Sequence, residues 1–408
     1  MKRFLSMALV LVTAFSLVAC GGKAAGSDSS EVGSYGVDET ATIGVLVSDA
    51  TSSEALAFRS YYEDYIASQY DVELIYSNEL TDAEGETSAI ETFINQGVQA
   101  VISLSSFDRS GQIEMCEEAQ IYYAIAAGTL TDDEYDTYKD YEYYVGSVGP
   151  SLATEYQTGY DMAANYTAQG DTNFLIFGGA AAFGTEMHIY RVAGMLAAIC
   201  DADTTGATTY DGKTGEDIVA ALAGTSMDPS KFASETYSVD YMDGYNMDDA
   251  WFGMIAEKLA APNLQAVLAV GNGSDFFGSM IQDGSIKVGS IDCFTEDYAK
   301  AIEAGQLDWL AGKFNASIAP IFVATLDAIN GAAIRTAEGS AIMIDQGYWE
   351  AAGADEFNSC LGAVSDPENP VYTKAILDDY VATADKEVSY NDFVKFVEAY
   401  TFDEVTAK

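Results

Sequence analysis

The chain has 408 residues, 49% of them hydrophobic and 20% charged, so it is globular and long enough for two domain-sized cores, and disorder throughout is excluded. Its 18 Lys and Arg stand against 64 Asp and Glu, a formal net charge of −46 at pH 7, which is the wrong sign for binding a nucleic-acid phosphate backbone. One histidine and five widely spaced cysteines make neither a zinc pattern nor a compact disulfide framework.

Residues 1–19 open with Lys2-Arg3, continue in an apolar run from Phe4 to Val18, and exit through small residues. This order marks a secretory signal, with an uncleaved membrane anchor as the alternative; the run is short for a membrane span. Leu17-Val18-Ala19-Cys20 followed by Gly21-Gly22 resembles the lipobox of bacterial lipoproteins, and that resemblance implies an acylated Cys20 as the first mature residue. Residues 20–40 are rich in Gly, Ser and Ala and read as a flexible tether. Isolated buried thiols, rather than bridges, are expected at Cys116, Cys200, Cys293 and Cys360.

From Thr40 the chain alternates strand and helix. The apolar strand Ile43 to Val47 opens into Ser48-Asp49, and the helix after it puts Phe58, Tyr62, Tyr65 and Ile66 on one face. Strands follow at Val72–Tyr76, Ala100–Leu104 and Ile121–Ala126, with helices between them; the helix ending at Asn95 is closed by Gly97. The third strand opens into Ser105-Ser106-Phe107. Repeated βα units require right-handed crossovers and a parallel sheet. Leu130 to Glu142 reads as a Tyr- and Asp-rich excursion, and Tyr143 to Ser151 as a passage from one lobe to the next.

The beat then restarts with helix Leu152–Ala168, strand Asn173–Phe177, loop Gly178–Thr185 and helix Met187–Ile199. After a polar stretch (Asp201–Ser234) come strand Thr236–Val239 and helix Gly244–Ala260. Strand Ala266–Val270 opens into Asn272, and strand Ile286–Ile291 ends on Asp292. An apolar run that opens into polar residues at its carboxyl end is the pattern of a parallel strand covered on both faces, and such ends form ligand shelves. Helix Glu296–Ala304, strand Leu307–Gly312, Lys313-Phe314-Asn315 and helix Ser317–Ile334 follow. A strand-like Ala341–Ile344, an aromatic loop at Tyr348-Trp349 and helices at Val371–Thr383 and Tyr390–Tyr400 complete the chain.

Three signatures in this order carry a resemblance. They are Tyr144-Val145-Gly146-Ser147 with Gly159-Tyr160 in the next helix, Arg191-Val192-Ala193-Gly194-Met195, and Asn272 six residues before Gly278 with Ser290-Ile291-Asp292 beyond. From about Ala41 to Ile344 the chain resembles the type I periplasmic binding proteins of the ribose- and galactose-binding kind, the solute receptors of ABC importers. The resemblance implies an α/β fold of two Rossmann-like lobes with parallel sheets joined by a multi-strand hinge. One lobe would comprise 41–147 with 314–344 and the other 148–313, leaving 345–408 as a C-terminal helical extension packing on the lobes. Gly273 replaces the family's Asp, Lys313 replaces its Gln, and Ser48-Asp49 stand where sugar receptors carry a stacking aromatic.

In such a receptor ligands bind between the lobes at strand ends. The candidate contacts are Ser48, Asp49, Ser105, Ser106 and Phe107 from one lobe and Arg191, Asn272 and Asp292 from the other, with Lys313 at a crossing. Asn, Asp and Arg present fixed planar groups suited to polyol hydroxyls. Each has a structural alternative: Asp292 as a helix cap, Asn272 as a turn residue, Arg191 bonded to carbonyls, Lys313 solvated, Ser48 and Phe107 in ordinary loops, and His188 as a packing residue.

No catalytic frame is visible. His188 stands without a Gly-x-Ser-x-Gly, and Gly271-Asn272-Gly273 before Gly278 does not fit the dinucleotide spacing. A paired-carboxylate glycosidase stays open by count alone, though no acidic pair stands out. The expectation is a non-enzymatic, monomeric, extracytoplasmic lipoprotein on the outer face of a bacterial cell membrane, or a periplasmic one. It would capture a small polar solute, a sugar first, and hand it to an ABC permease, with no catalytic residue, metal or cofactor. Alternatives are a sensor serving a receptor kinase or chemoreceptor, a receptor for a nucleoside or other non-sugar solute, and a secreted carbohydrate-active enzyme.

Overall fold

A computed structural model describes residues 40–126, 128–222, 226–281, 284–383 and 386–406. The expected signal (1–19), the acylation site Cys20 and the tether up to residue 39 lie outside the described residues.

Fourteen strands run through the described residues: β1 (Ala41–Val47), β2 (Val72–Tyr76), β3 (Ala100–Leu104), β4 (Tyr122–Ala126), β5 (Tyr144–Gly149), β6 (Asn173–Phe177), β7 (Thr209–Tyr210), β8 (Phe232–Ala233), β9 (Ser238–Met242), β10 (Ala266–Ala269), β11 (Lys287–Cys293), β12 (Trp309–Lys313), β13 (Ile342–Asp345) and β14 (Trp349–Ala352). Two six-stranded sheets result, ordered β13-β5-β4-β3-β1-β2 and β14-β12-β11-β10-β6-β9, while β7 and β8 form a small antiparallel pair. The first sheet is parallel throughout. The second is parallel except for β14, which runs antiparallel to β12. The fold is thus the two-lobed α/β architecture of type I periplasmic binding proteins. Each sheet is doubly wound and reverses its strand order once, between β1 and β3 in the first and between β6 and β10 in the second, and such reversals open a crevice at the carboxyl ends of the strands.

The strands are near-continuous apolar runs because helices cover both faces of each sheet. Leu46, Val101 and Ile125 point to one face of the first sheet, under Ile90, Phe93 and Ile113. Ile43, Val45 and Ile102 point to the other, into a cluster that continues through Val267 and Leu310 of the second sheet to Trp349 and Tyr400 near the C-terminus. On the far side of the second sheet the helices Leu152–Ala168 and Glu186–Ala202 lie against each other. Two glycines permit that approach. A Cβ at Gly159 would meet Arg191 O at 2.1 Å, and one at Gly194 would meet Tyr156 O at 1.9 Å.

Several local expectations are corrected. The excursion at 130–142 contains the helix Asp132–Tyr138, closed at its start by a capping box between Thr131 and Glu134. The first helix widens into a π-helical turn at Tyr61–Ile66. Between Asp201 and Ser234 lie the β7–β8 pair and the helix Asp217–Leu222. The helix expected from Gly244 starts only at Asp249, where Asp248 caps it. The aromatic loop at Tyr348-Trp349 is the entrance to an edge strand, so the C-terminal region is not purely helical: β14 completes the second sheet. An additional helix, Ala354–Val364, follows, and the helix expected at 371–383 shrinks to Lys374–Asp378. Cys116, Cys200, Cys293 and Cys360 are all buried free thiols.

Candidate functional site

The crevice of the first sheet holds a cavity of about 190 Å³. Its floor is the carboxyl ends of β1 to β4, represented by Val47, Tyr76, Leu104 and Ala126; Ser48, Ser106 and the first turn of the helix Ser53–Ser60 form its rim. Met187 and Lys313 close it from the second lobe, so it lies between the two sheets. A neighbouring cavity of about 230 Å³ shares Ser106, Arg109 and Met187 and is bordered by Phe107, Glu134 and Glu186.

Four of the expected contacts line the first cavity: Ser48, Asp49, Ser106 and Lys313. Phe107, 52% exposed, lines the second. Asp49 is already engaged locally, since its Oδ1 accepts the N–H groups of Thr51 (2.8 Å) and Ser52 (3.1 Å). Burial works to raise this acid, yet the bonds from Thr51 and Ser52 outweigh it and hold the group below its ordinary value. Lys313 Nζ lies 3.3 Å from Glu54 Oε1 of the opposite lobe and over the rings of Tyr348 (5.6 Å) and Phe58 (5.9 Å).

The other four expected contacts line neither cavity, because each is held by partners within its own lobe. Ser105 is fully buried, and its Oγ donates to Glu86 Oε1 at 2.5 Å. The same buried carboxylate accepts the N–H groups of Phe107 (2.9 Å) and Asp108 (2.8 Å), fixing the loop after β3 from below. Arg191, 4% exposed, donates through Nε to Glu155 (2.6 Å), through Nη1 to Val270 O (2.5 Å) and through Nη2 to Tyr348 Oη (2.7 Å). Tyr348 Oη in turn donates to Glu155 Oε1 at 2.9 Å, so the triad is closed upon itself.

Asn272 adopts a left-handed conformation (φ 55°), and its N–H donates to both oxygens of Asp292 (3.0 and 3.2 Å). Asp292 also accepts the hydroxyl of Ser290. Burial first, then the charges of Glu54 and Asp275, push the Asp292 acid up to about 7 against the bonds from Ser290 and Asn272. The imidazole Nδ1 of buried His188 accepts the Ala180 N–H at 2.9 Å, and burial with the Arg191 charge pushes it down to about 3, so it is neutral and ties down the loop after β6.

What the first cavity does gather is a set of polar atoms without hydrogen-bond partners among the described residues. Tyr76 Oη, Arg109 Nε and Glu54 Oε1 are each buried and unbonded, and all three residues line this cavity. Glu54 Oε1 is near enough to Lys313 for an ion pair but is not aligned as a hydrogen bond. Arg109 is oriented by its Nη1, which donates to Thr129 O at 2.7 Å, and Tyr76 lies under the Arg59 guanidinium at 4.5 Å. A buried polar atom left unbonded costs about 1–3 kcal/mol, and three such atoms belong to residues that line this one cavity. Tyr76 was readable as the end of β2, and Arg109 as the continuation of the Ser105–Phe107 loop. Glu54 carried no signal, being one acid among 64.

No family model matches the sequence, and no curated protein matches it. Solved structures do. A twin-arginine translocation pathway signal protein from Burkholderia phytofirmans matches with a TM-score of 0.61 at 14% identity, over 87% of this chain and 100% of its own. An ABC transporter solute-binding protein from Bacillus halodurans with bound myo-inositol gives 0.56 at 16% identity, over 80% of this chain and 99% of its own. An ABC transporter periplasmic solute-binding protein from Actinobacillus succinogenes with bound D-allose gives 0.56 at 15% identity, over 78% and 99%. These likenesses establish the shared fold.

Proposed function

We propose that the chain is an extracytoplasmic solute-binding protein that captures a small, neutral polyol, a sugar or cyclitol, between its lobes and delivers it to a membrane ABC permease, tethered to the membrane through an acylated Cys20. The observation that carries this reading is that Tyr76, Arg109 and Glu54, each with a buried side-chain atom lacking a hydrogen bond, line one cavity at the strand-order reversal of the first sheet. A phenol, a guanidinium and a carboxylate offer both donors and acceptors, which is what hydroxyl groups require of a site. Ser48 and Ser106 add hydroxyls at the rim. Arg59 is paired with Glu63 at 2.9 Å, Lys313 with Glu54, and Asp49 with its own turn, which leaves the Arg109 guanidinium as a cavity charge with no ion pair among the described residues. The bound sugars and inositol of the structural neighbours support the same class.

Capture works by closure. Ser53 Oγ meets Asp297 at 3.2 Å across the cleft, and Glu54 faces Lys313, so the first turn of one helix bridges to the second lobe beside the cavity. A solute bonded to Glu54, Tyr76 and Arg109 on one side and Lys313 on the other favours the closed arrangement because it contacts both lobes only there. A thermal-shift screen of monosaccharides, cyclitols, nucleosides and small carboxylates tests the proposal. A ligand at 100 times its dissociation constant adds about 2.7 kcal/mol of stability. Stabilisation by nucleosides or carboxylates and by no polyol would reject it.

A further inference from the structure

The chain passes between the two lobes at residues 150–151, at Phe314 and at 346–348. It passes a fourth time at 365–373. The helix Ala354–Val364 packs on the second lobe, with Phe357 5.3 Å from Phe294. By Tyr372 the chain is bonded to the first lobe instead. Tyr61 Oη donates to Tyr372 O (2.9 Å), Lys374 N–H to Tyr65 Oη (2.8 Å), and Ala382 N–H to Asp327 Oδ1 (2.9 Å). The π-helical turn Tyr61–Ile66 supplies both phenols, and Tyr62 Oη donates to Ile318 O at 2.9 Å just beyond the Phe314 crossing.

The chain then returns to the crossings. The Tyr400 ring stacks on Phe314, with centroids 4.2 Å apart and planes at 19°, and the Phe314 N–H donates to Tyr400 Oη at 3.1 Å. Trp349, just past the third crossing, lies 4.5 Å from Phe314 and 5.3 Å from Phe402. Phe314, Trp349 and Tyr400 are all buried. Phe314 directly follows Lys313, whose ammonium closes the cavity, so rotation at this crossing must either shear the Phe314–Tyr400 stack or carry the C-terminal helices with it.

We propose that the C-terminal segment is a brace across the hinge, and that Tyr400 is its positioning residue, holding Phe314 and through it Lys313 against Glu54. The proposal rests on the solute-receptor reading only in giving Lys313 a ligand to meet. The brace itself is a property of the free protein.

The test therefore uses the full chain without ligand. Tyr400→Phe keeps the stacked ring and removes the acceptor of the Phe314 N–H. Tyr380→Phe is the control, since Tyr380 stacks on Phe396 at 4.0 Å in the same segment and is not among the rings around Phe314. Hydrogen exchange at the Phe314 amide and the interlobe distance distribution from small-angle scattering are measured alongside the melting temperature. The expected result is at least tenfold faster exchange at Phe314 and a wider interlobe distribution in Tyr400→Phe, at a melting temperature close to that of Tyr380→Phe. Unchanged exchange and distances, or the same changes in Tyr380→Phe, would overturn the brace. Tyr400→Ala, which removes the ring as well, should widen the distribution further; if it does not fold, Tyr400→Phe carries the test. Polyol binding that persists in Tyr400→Phe with Phe314 exchange unchanged removes the brace and leaves the receptor reading intact.

Discussion

At the carboxyl ends of β1 to β4, Tyr76 and Arg109 line the cleft and each keeps a buried atom without a hydrogen bond, while Glu54, from the helix above, is paired with Lys313 but not hydrogen-bonded to it. At the ends of β6, β10 and β11, Arg191, Asn272 and Asp292 are bonded to Glu155, Tyr348, Val270, Ser290 and one another. Both edges follow the same topological rule, yet Arg191, Asn272 and Asp292 at the second are bonded within the protein, whereas Tyr76 and Arg109 at the first each keep an unbonded atom. Position at a strand end alone therefore does not mark a candidate contact; whether the side chain is already bonded within the protein separates the two edges.

Substitutions that exchange the two behaviours give the sharpest contrast. Arg191→Met should be the most damaging change, because it strands the Glu155 carboxylate, 1% exposed; breaking a buried pair in this way costs about 3–5 kcal/mol. Urea unfolding should show that loss. A fully stable Arg191→Met that no longer binds solute would instead make the second edge the binding one.

Tyr76→Phe and Arg109→Gln should invert the pattern, with solute affinity falling about tenfold for the phenol and more for the guanidinium, while stability holds or rises in Tyr76→Phe, which removes an unbonded hydroxyl, and falls by about 1 kcal/mol in Arg109→Gln, which loses the bond to Thr129 O. Paired calorimetric titrations and melts separate the two effects. A large stability loss in Tyr76→Phe would mean that its hydroxyl is bonded within the protein.

A further contrast is one of pH. The Asp292 acid is raised to about 7 in the folded protein, so between about pH 4 and 7 the folded state holds a proton that the unfolded state releases. Its contribution to stability is complete at the acid end of that window and is lost as pH rises through it. Asp292→Asn keeps an acceptor for the Asn272 N–H and should flatten this part of the stability profile, measured as melting temperature against pH. Identical slopes in the two proteins would show that Asp292 is ionised throughout.

The sheets were legible because their strands are apolar runs separated by helices at regular spacing, and the crevice followed from topology. That Ser48, Ser106 and Lys313 would line the cavity was legible by the same rule. What lay out of reach depended on partners distant in the chain. The closure of Arg191 needs Tyr348, which read as part of an aromatic loop and stands at the entrance to an edge strand. Ser105 is drawn inward by Glu86, a carboxylate from another helix that is buried only because three donors surround it. The π-helical turn had no compositional mark, and the brace over the hinge joins Phe314 to Tyr400 across most of the C-terminal region.

The most direct measurement is isothermal titration of the wild-type protein, Arg109→Gln and Asn272→Ala with the polyols that stabilise the wild type. The account predicts binding by the wild type, a loss of tenfold or more in Arg109→Gln, and an affinity in Asn272→Ala within about twofold of wild type. Binding abolished in Asn272→Ala but retained in Arg109→Gln would contradict it.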